Sequence, residues 1–179
     1  MRIISGSHKG RILKADRSFE ARPTTDFAKE ALFDILNNYF DFENLRILDL
    51  FAGTGGISYE FASRGAIAID AVEINERYAS FIRKTVQELD FKVIRIFKEN
   101  AFTFIKRCQV NYDIIFADPP YDMEEVKTIP DLIFAHDMLG KSGWLIVEHS
   151  KQVDFKNHPN YVETRKYGAV HFSFFRKEK

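Results

Sequence analysis

Residues 46–56, RILDLFAGTGG, decide the fold. The stretch begins with the apolar run Ile47–Phe51 and ends in a glycine-rich turn at Gly53 and Gly55, where a helix can begin. Glycines at such a point let the backbone adopt left-handed angles and approach a ligand closely. The first N–H groups of the helix remain unpaired there. The stretch therefore predicts a strand, a turn and a helix, with a binding site at the turn.

Further short apolar runs follow along the chain and alternate with stretches of helical spacing. Runs of this kind are typical of strands buried on both faces of a parallel sheet. The last two surround Gly168 and predict an antiparallel hairpin. The pattern predicts an α/β fold with a doubly wound, mostly parallel sheet of about seven strands, which binds ligands beyond the carboxyl ends of its strands. The predicted strands are Ile47–Phe51, Ile67–Val72, Val93–Phe97, Ile114–Ala117, Trp144–Val147, Tyr161–Tyr167 and Val170–Arg176, and the predicted helices are Gly56–Arg64, Glu76–Asp90, Phe102–Arg107 and Glu124–Leu139.

The N-terminal residues read as a small β-hairpin. Its predicted strands, Arg2–Ser5 and Arg11–Ala15, flank a turn-prone glycine segment. A helix follows, capped by Thr24, Thr25 or Asp26. We therefore divide the chain into a basic hairpin extension, residues 1–22, and a domain over residues 23–179, which together form one compact unit.

A net charge of zero conceals basic ends. Residues 1–24 and residues 165–179 each carry a net charge of +4, so the remainder carries −8. Basic segments on an acidic body favour contact with a polyanion such as RNA. Charged termini that merely aid solubility are the alternative, and charge alone does not separate the two.

Composition excludes several classes of protein. The one cysteine, Cys108, cannot form an internal disulfide, and no spacing of cysteine and histidine predicts a metal site. No run approaches the ~20 apolar residues of a membrane span, and the N-terminus has no hydrophobic signal region. We therefore expect a cytoplasmic protein without a membrane partner or a metal.

Acidic and amide side chains follow the next strands and suit a nucleoside. Glu73 ends the second strand, about 20 residues after the glycine turn, where a carboxylate can accept hydrogen bonds from both ribose hydroxyls. Asn100 follows the third strand and offers a donor and an acceptor to an adenine edge. Each could instead cap the following helix. Asp49, within the first strand, could accept a hydrogen bond from an amino-acid ammonium group or from backbone N–H groups of the turn.

Asp118-Pro119-Pro120-Tyr121 follows the fourth strand. Two prolines make a stiff loop and keep Asp118 extended. The Asp118 carboxylate and the Pro119 carbonyl can accept both N–H bonds of a planar amino group, which raises the lone-pair density of its nitrogen for attack on an electrophilic methyl group. The Tyr121 ring can stack on the base, a contact worth ~1–3 kcal/mol. A simple turn that opens the helix at Glu124 is the alternative.

These motifs resemble the class I S-adenosylmethionine methyltransferases that act on amino groups, with a Rossmann-like sheet. Nearly the whole chain, including Arg2–Gly6, Lys9–Arg11 and Arg22–Phe33, further resembles the bacterial 16S rRNA guanine-N2 methyltransferases of the RsmD family. The resemblance implies S-adenosylmethionine as cofactor, N2-methylguanosine as product, and a monomer that acts on 16S rRNA in the small ribosomal subunit or its precursor. It implies catalytic residues Asp118, Pro119, Pro120 and Tyr121, cofactor-binding residues Asp49, Phe51, Gly53, Gly55, Glu73, Ile74, Asn100 and Ala101, and RNA-binding residues Arg2, Lys9, Arg11, Arg22 and Thr24.

Four alternatives stay open at this stage. The loop at Asp118 also suits adenine-N6 methylation of RNA or DNA, and protein glutamine methylation. The glycine turn also suits an NAD-linked oxidoreductase, although Ser58 stands where the third glycine of the dinucleotide pattern belongs. A catalytically silent RNA-binding module is the fourth.

Overall fold

The computed structural model describes residues 1–14 and 25–177. Their secondary structure follows the predicted alternation closely, and the predicted cap at Thr25 is confirmed, since its side chain accepts a hydrogen bond from the Ala28 N–H. In chain order the elements are α1 (Asp26–Asn37), β1 (Arg46–Leu50), α2 (Gly56–Ser63), β2 (Ala68–Val72), α3 (Glu76–Glu88), β3 (Ile94–Phe97), α4 (Ala101–Arg107), β4 (Tyr112–Ala117), a 3-10 turn (Glu124–Lys127), α5 (Thr128–Ala135), β5 (Leu139–His149), β6 (Tyr161–Tyr167) and β7 (Val170–Arg176).

The seven strands form one sheet in the order β3-β2-β1-β4-β5-β7-β6. β1 to β5 are parallel, while β7 runs antiparallel to both β5 and β6. The strand order reverses between β1 and β4, and ligands bind at this reversal point in sheets of this kind. The predicted doubly wound sheet with a C-terminal antiparallel hairpin is thus confirmed.

Alternate residues of the strands face two separate hydrophobic cores. Ile114 and Phe116 of β4 join the core that lies under α1, α2 and α3. Ile115 and Ala117 join the core under α4 and α5. Helices cover both faces of the sheet, so a ligand can reach it at the end where the parallel strands finish. We call this end the carboxyl edge.

The N-terminal hairpin is shorter than the sequence predicts. Residues 1–14, which we call the N-terminal arm, contain a single bridge, Arg2 with Ile12, in place of two regular strands. Backbone N–H groups of Ile3 and Leu13 nevertheless donate across the turn, at 2.9 Å each. Both of these side chains are buried in the core under α1, so the arm packs as part of the domain.

The arm is held by a close backbone approach at Gly6. This residue has φ +80°, and a Cβ atom there would lie 1.8 Å from the carbonyl oxygen of Ser63 at the end of α2. The N–H of Ser7 donates to the same oxygen at 2.7 Å. Only glycine therefore permits this docking.

The predicted helix Glu124–Leu139 begins at the predicted residue but is not continuous, and it ends at Ala135. The structure splits it into the 3-10 turn and α5, because Pro130 has no N–H and is tolerated in the first turn of a helix but not in its interior. The chain then enters β5 at Leu139, five residues before the predicted strand at Trp144.

None of the described helices combines the length and the apolar character that a membrane span requires.

Candidate active site

The glycine turn that follows β1 has an unusual backbone conformation. Phe51, Gly53 and Gly55 all have positive φ, of 63°, 54° and 83°. For a non-glycine residue such as Phe51 this is uncommon and marks a site where surrounding structure fixes the backbone. A Cβ atom at Gly55 would lie 2.6 Å from the Tyr59 ring, whereas one at Gly53 would approach only the Phe51 carbonyl oxygen, at 4.0 Å. The Gly53 side of the turn is therefore open to a ligand.

Glu73 ties this turn to the end of β2. Its carboxylate accepts hydrogen bonds from the N–H groups of Gly53, at 2.8 Å, and Asn75, at 2.7 Å. Burial raises the pKa of Glu73, and these backbone donors oppose the shift. The neighbouring Ile74 side chain is exposed. Glu73 therefore fixes the turn, and its carboxylate lies where a ribose would meet the strand end.

Asp49 accepts hydrogen bonds from the first turn of α2, just beyond the glycine turn whose N–H groups were its predicted backbone partners. Its Oδ2 accepts from both the N–H and the hydroxyl of Ser58, at 3.1 and 2.6 Å, in the first turn of α2. The residue is 1% exposed, and burial raises its pKa to about 7. Ser58, which replaces the third glycine of the dinucleotide pattern, thus serves to hold this buried carboxyl group.

Asn100 caps α4, which is the alternative to an adenine contact that the sequence left open. Its Oδ1 accepts from the N–H groups of Phe102 and Thr103, at 2.9 and 3.2 Å. The residue itself is exposed, whereas Ala101 after it is buried. The cap fixes the Asn100 side chain at the carboxyl end of β3, where its amide nitrogen can still donate.

The double-proline loop emerges beside the glycine turn. The N–H of Asp118 donates to the carbonyl of Leu50 at 3.3 Å, which joins the ends of β4 and β1. Pro119 is buried, Pro120 is exposed, and the Tyr121 side chain is 50% exposed. The predicted catalytic loop and the predicted cofactor turn therefore leave adjacent strands at the same edge.

Carboxylates concentrate at this edge. Asp118 is half-buried, and its pKa is raised well above its usual value, first by burial and then by the negative charges of Glu148 and Asp49. Glu148, near the end of β5, is 3% exposed and accepts a hydrogen bond from the Tyr121 hydroxyl at 3.2 Å. Burial and these neighbours also raise the Tyr121 pKa. Three carboxyl groups, those of Asp49, Asp118 and Glu148, therefore lie close together at this edge.

A shallow surface depression lies beside the loop. Glu148 carries the one carboxylate among the described residues that line it, which are Pro119, Pro120, Tyr121, Val126, Glu148, His149, Ser150 and Val153.

Glu148 is the site residue that sequence reasoning undervalued, because an acid after a strand is usually a helix cap or a solvated side chain. The signal was its position. Ala117 pairs with Val147 across β4 and β5, so the next residue on each strand, Asp118 and Glu148, leaves the sheet side by side.

The N-terminal arm borders the glycine turn. Met1 Sδ lies 3.8 Å from the Thr54 hydroxyl. Arg2 forms an ion pair of 3.6 Å with Asp26 and is half-exposed, and Lys9 and Arg11 are exposed. The other two predicted RNA-binding residues, Arg22 and Thr24, lie outside the described residues.

The residues present fit a nucleoside cofactor. They provide an open glycine turn, and Glu73 and Asn100 at the two neighbouring strand ends. Within residues 1–14 and 25–177, no group of three or more histidine, cysteine, aspartate or glutamate side chains is arranged to hold a metal ion.

Comparisons with known proteins agree with this arrangement. The family model described as "Conserved hypothetical protein 95" matches residues 1–176. The chain is 35% identical to "Putative rRNA methyltransferase YlbH" of Bacillus subtilis, over 99% of each chain. It is 34% identical to "Ribosomal RNA small subunit methyltransferase D" of Buchnera aphidicola, over 84% of this chain and 78% of that one.

A solved structure supports the fold. "Putative methyltransferase yhhF" from Escherichia coli aligns with a TM-score of 0.88 and 25% identity, over 100% of this chain and 98% of that chain. The predicted Rossmann-like fold and the resemblance to RsmD-type proteins are thereby confirmed.

Proposed function

The chain belongs to the family described as Conserved hypothetical protein 95, and from this premise we propose that it is an S-adenosylmethionine-dependent methyltransferase. Its substrate is the N2 amino group of a guanine in 16S rRNA of the small ribosomal subunit or its precursor. One observation carries the proposal: the Asp118 loop and the glycine turn leave β4 and β1 side by side, joined by the Asp118 N–H. A donor on the turn and an amine on the loop can meet there.

Four residues would hold the cofactor at strand ends. Glu73 accepts the ribose hydroxyls, Asn100 and Ala101 meet the adenine edge, and the Gly53 backbone lies against the amino-acid portion. When bound, S-adenosylmethionine supplies an electrophilic methyl group on a cationic sulfur. Asp49, Asp118 and Glu148 lie at this edge, and a bound cation would favour the ionised forms of these carboxyl groups.

The loop prepares the amine. The Asp118 carboxylate and the Pro119 carbonyl accept hydrogen bonds from its two N–H groups. This arrangement directs the nitrogen lone pair away from the loop and towards the glycine turn. The Tyr121 ring, half-exposed at the pocket, stacks on the base. Holding both reactants in line supplies much of the rate enhancement.

Asp118 also handles the proton. The methylated nitrogen must lose one proton, and a carboxylate with a raised pKa is a better proton acceptor than an ordinary one. Asp118 must be ionised to accept N–H bonds, so activity rises with pH as this group loses its proton. The charge of a bound sulfonium favours the ionised form.

The basic arm captures RNA. Arg2, Lys9 and Arg11 contact phosphates from the exposed arm, and Arg22 and Thr24 extend this contact as predicted from sequence. Phosphate contacts carry no sequence information, so the shape of the ribosomal particle selects the target. In this proposal the protein acts as a monomer in the cytoplasm, with residues 1–22 as the basic extension of a domain over 23–179.

The test is methyl transfer to small subunits purified from a strain that lacks the gene. With radiolabelled S-adenosylmethionine, we expect label in 16S rRNA that migrates as N2-methylguanosine after nucleoside digestion. Label in N6-methyladenosine would overturn the guanine assignment, and unlabelled RNA would overturn the proposed activity. Subunits from the parent strain serve as the already methylated control.

A further inference from the structure

Glu148 lies beside Asp118, the residue proposed to accept a hydrogen bond from the amine. The parallel register of β4 and β5 pairs Ala117 with Val147, so Asp118 and Glu148 leave the two strands as neighbours. The Glu148 side chain is almost fully buried, yet it lines the depression next to the double-proline loop. Its place in the wall of this depression, beside the Tyr121 hydroxyl, puts a carboxylate where it can accept a hydrogen bond from a base held by the loop.

The hydroxyl of Tyr121 connects this carboxylate to the stacking ring. It donates to Glu148 Oε1 at 3.2 Å. A carboxylate has about four lone-pair positions and can accept further donors besides this one. The contact therefore holds the ring at the pocket while Glu148 keeps the capacity to bind a base.

The other titratable side chain at the pocket is engaged elsewhere. His149 contacts the Ser150 carbonyl oxygen through Nδ1, at 2.8 Å, and the Ser173 hydroxyl through Nε2, at 2.7 Å. Because the carbonyl can only accept, Nδ1 carries the proton and Nε2 accepts from Ser173. Both ring nitrogens thus have partners within the protein, whereas a carboxylate such as Glu148 can accept several donors at once.

Guanine and adenine differ at the atom beside the reactive amine. Guanine presents an N1–H donor next to its N2 amino group, so two adjacent donors face two adjacent carboxylates. Adenine presents an N1 lone pair next to its N6 amino group. An ionised carboxylate repels that lone pair and is left without its donor, and sites built around a donor reject analogues that lack it strongly.

We propose that Glu148 selects guanine by accepting its N1–H while Asp118 accepts from the N2 amino group. This inference rests on the proposed function, because it takes the depression as the site of the target base. It explains how a loop that suits either amino group comes to act on guanine. Glu148 is thus a specificity-determining residue.

The experiment measures nucleoside binding with the cofactor site filled by S-adenosylhomocysteine, which keeps adenine nucleosides out of that site. Guanosine and inosine have the N1–H, whereas adenosine and 2-aminopurine riboside lack it. 2-Aminopurine riboside retains the amino group at position 2, so it isolates the N1 contact. Saturation-transfer NMR titrations at millimolar nucleoside give the four affinities.

We expect the wild-type protein to bind guanosine and inosine at least about tenfold more tightly than the other two, as one charge-assisted hydrogen bond provides. In Glu148→Gln the ratio should collapse to about twofold, because an amide can either donate or accept. Equal or undetectable binding of all four by the wild type would overturn the inference. So would a Glu148→Gln protein that keeps the wild-type ratio.

Tyr121→Phe is the matched variant. It removes the hydroxyl that contacts Glu148 but leaves the carboxylate, so all four affinities should fall together with the guanosine preference retained. This arm and the wild-type ratio test the inference even if Glu148→Gln does not fold. If the wild type methylates guanine in small subunits but shows no N1–H preference, this inference fails alone. If it methylates adenine or nothing, the proposed function fails.

Discussion

The carboxyl edge of the sheet and the N-terminal arm are built on opposite principles. At the edge, Asp49, Glu73 and Glu148 are buried and each accepts hydrogen bonds from named partners. On the arm, Lys9 and Arg11 are exposed. The edge therefore holds a few carboxyl groups in fixed positions, as the proposed chemistry needs, whereas the arm presents exposed cations, as the proposed RNA contact needs.

One buried carboxylate joins the two regions. Glu60 of α2 is fully buried and accepts from the N–H groups of Ile4, at 2.8 Å, and Ser5, at 3.0 Å. It also pairs with Arg64 at 2.9 Å and with the buried Lys29 at 3.8 Å. Burial lowers the Lys29 pKa, and the charge of Glu60 opposes that shift. The arm's position therefore depends on α2, which begins at the glycine turn.

The largest expected effect is at the edge. Asp118→Ala should lower methyl transfer by about 10³-fold, because it removes both the acceptor of the amine hydrogen and the acceptor of the proton. Affinity for S-adenosylmethionine, measured by calorimetry, should stay within about threefold, since the proposed ribose contact at Glu73 and the adenine contact at Asn100 are unchanged. Asp122→Ala, an exposed carboxylate nearby, is the control. Equal transfer by the two variants would refute the role of Asp118.

The next effect is on the joint between the regions. Glu60→Gln should lower the free energy of unfolding by about 3 kcal/mol, because it removes the buried counter-charge that faces Lys29 and leaves only the half-exposed Asp26, at 4.0 Å. Urea unfolding measures the change, and limited proteolysis shows whether residues 1–14 become accessible. Glu30→Gln, an exposed carboxylate on α1, is the control. If both variants unfold alike, Glu60 does not anchor the arm.

The third effect concerns the edge as well: the stability of the protein should depend on pH through Asp49. Burial raises the Asp49 pKa from 3.8 to about 7, so the folded protein keeps a proton that the unfolded chain releases. Stability should therefore fall as pH rises from about 4 to about 7. Asp49→Asn has no such loss, so it should be more stable than the wild type at pH 8, by about 2 kcal/mol. The gain is limited because the amide still accepts hydrogen bonds from Ser58 but without the assistance of a charge.

The measurement is urea unfolding of wild type and Asp49→Asn between pH 4 and pH 8. The slope of stability against pH should flatten in the variant. Asp90→Asn, at an exposed residue that already has a positive φ which asparagine tolerates, provides the control. A variant slope equal to the wild-type slope would show that Asp49 does not carry the shift.

The smallest effect is on the arm. Arg11→Gln should reduce the slope of log affinity for small-subunit RNA against log salt by about one unit, since one phosphate contact is lost. Affinity for S-adenosylmethionine should not change. Lys84→Gln, an exposed residue of α3, is the control. A similar reduction in both variants would mean that the arm is not the capture surface.

The sequence predicted the alternating elements well because strands buried on both faces leave unbroken apolar runs. β6 and β7 have the predicted bounds, Tyr161–Tyr167 and Val170–Arg176. The start of β5 was missed because four of its residues form an irregularity: pairing passes from Tyr112 with Leu139 directly to Ile114 with Trp144. The intervening stretch, 140–143, contains two glycines and two polar residues, which propensity assigns to a turn.

The candidate site was predicted where it rests on motifs and missed where it rests on register. The glycine turn and the double-proline loop are local patterns, so sequence located both. The pairing of Asp118 with Glu148 depends on which strands are neighbours, and no short-range pattern encodes that. The bond between Asp49 and Ser58 was likewise hidden, because it spans the turn and needs the helix in place.

A methyl donor on the glycine turn must face the Asp118 carboxylate for the proposed reaction to occur. A crystal structure with bound S-adenosylmethionine would reveal this arrangement. We predict that the ribose contacts Glu73 and that the methyl group points towards the loop Asp118–Tyr121. Donor density elsewhere, or a methyl group directed away from this loop, would contradict the account.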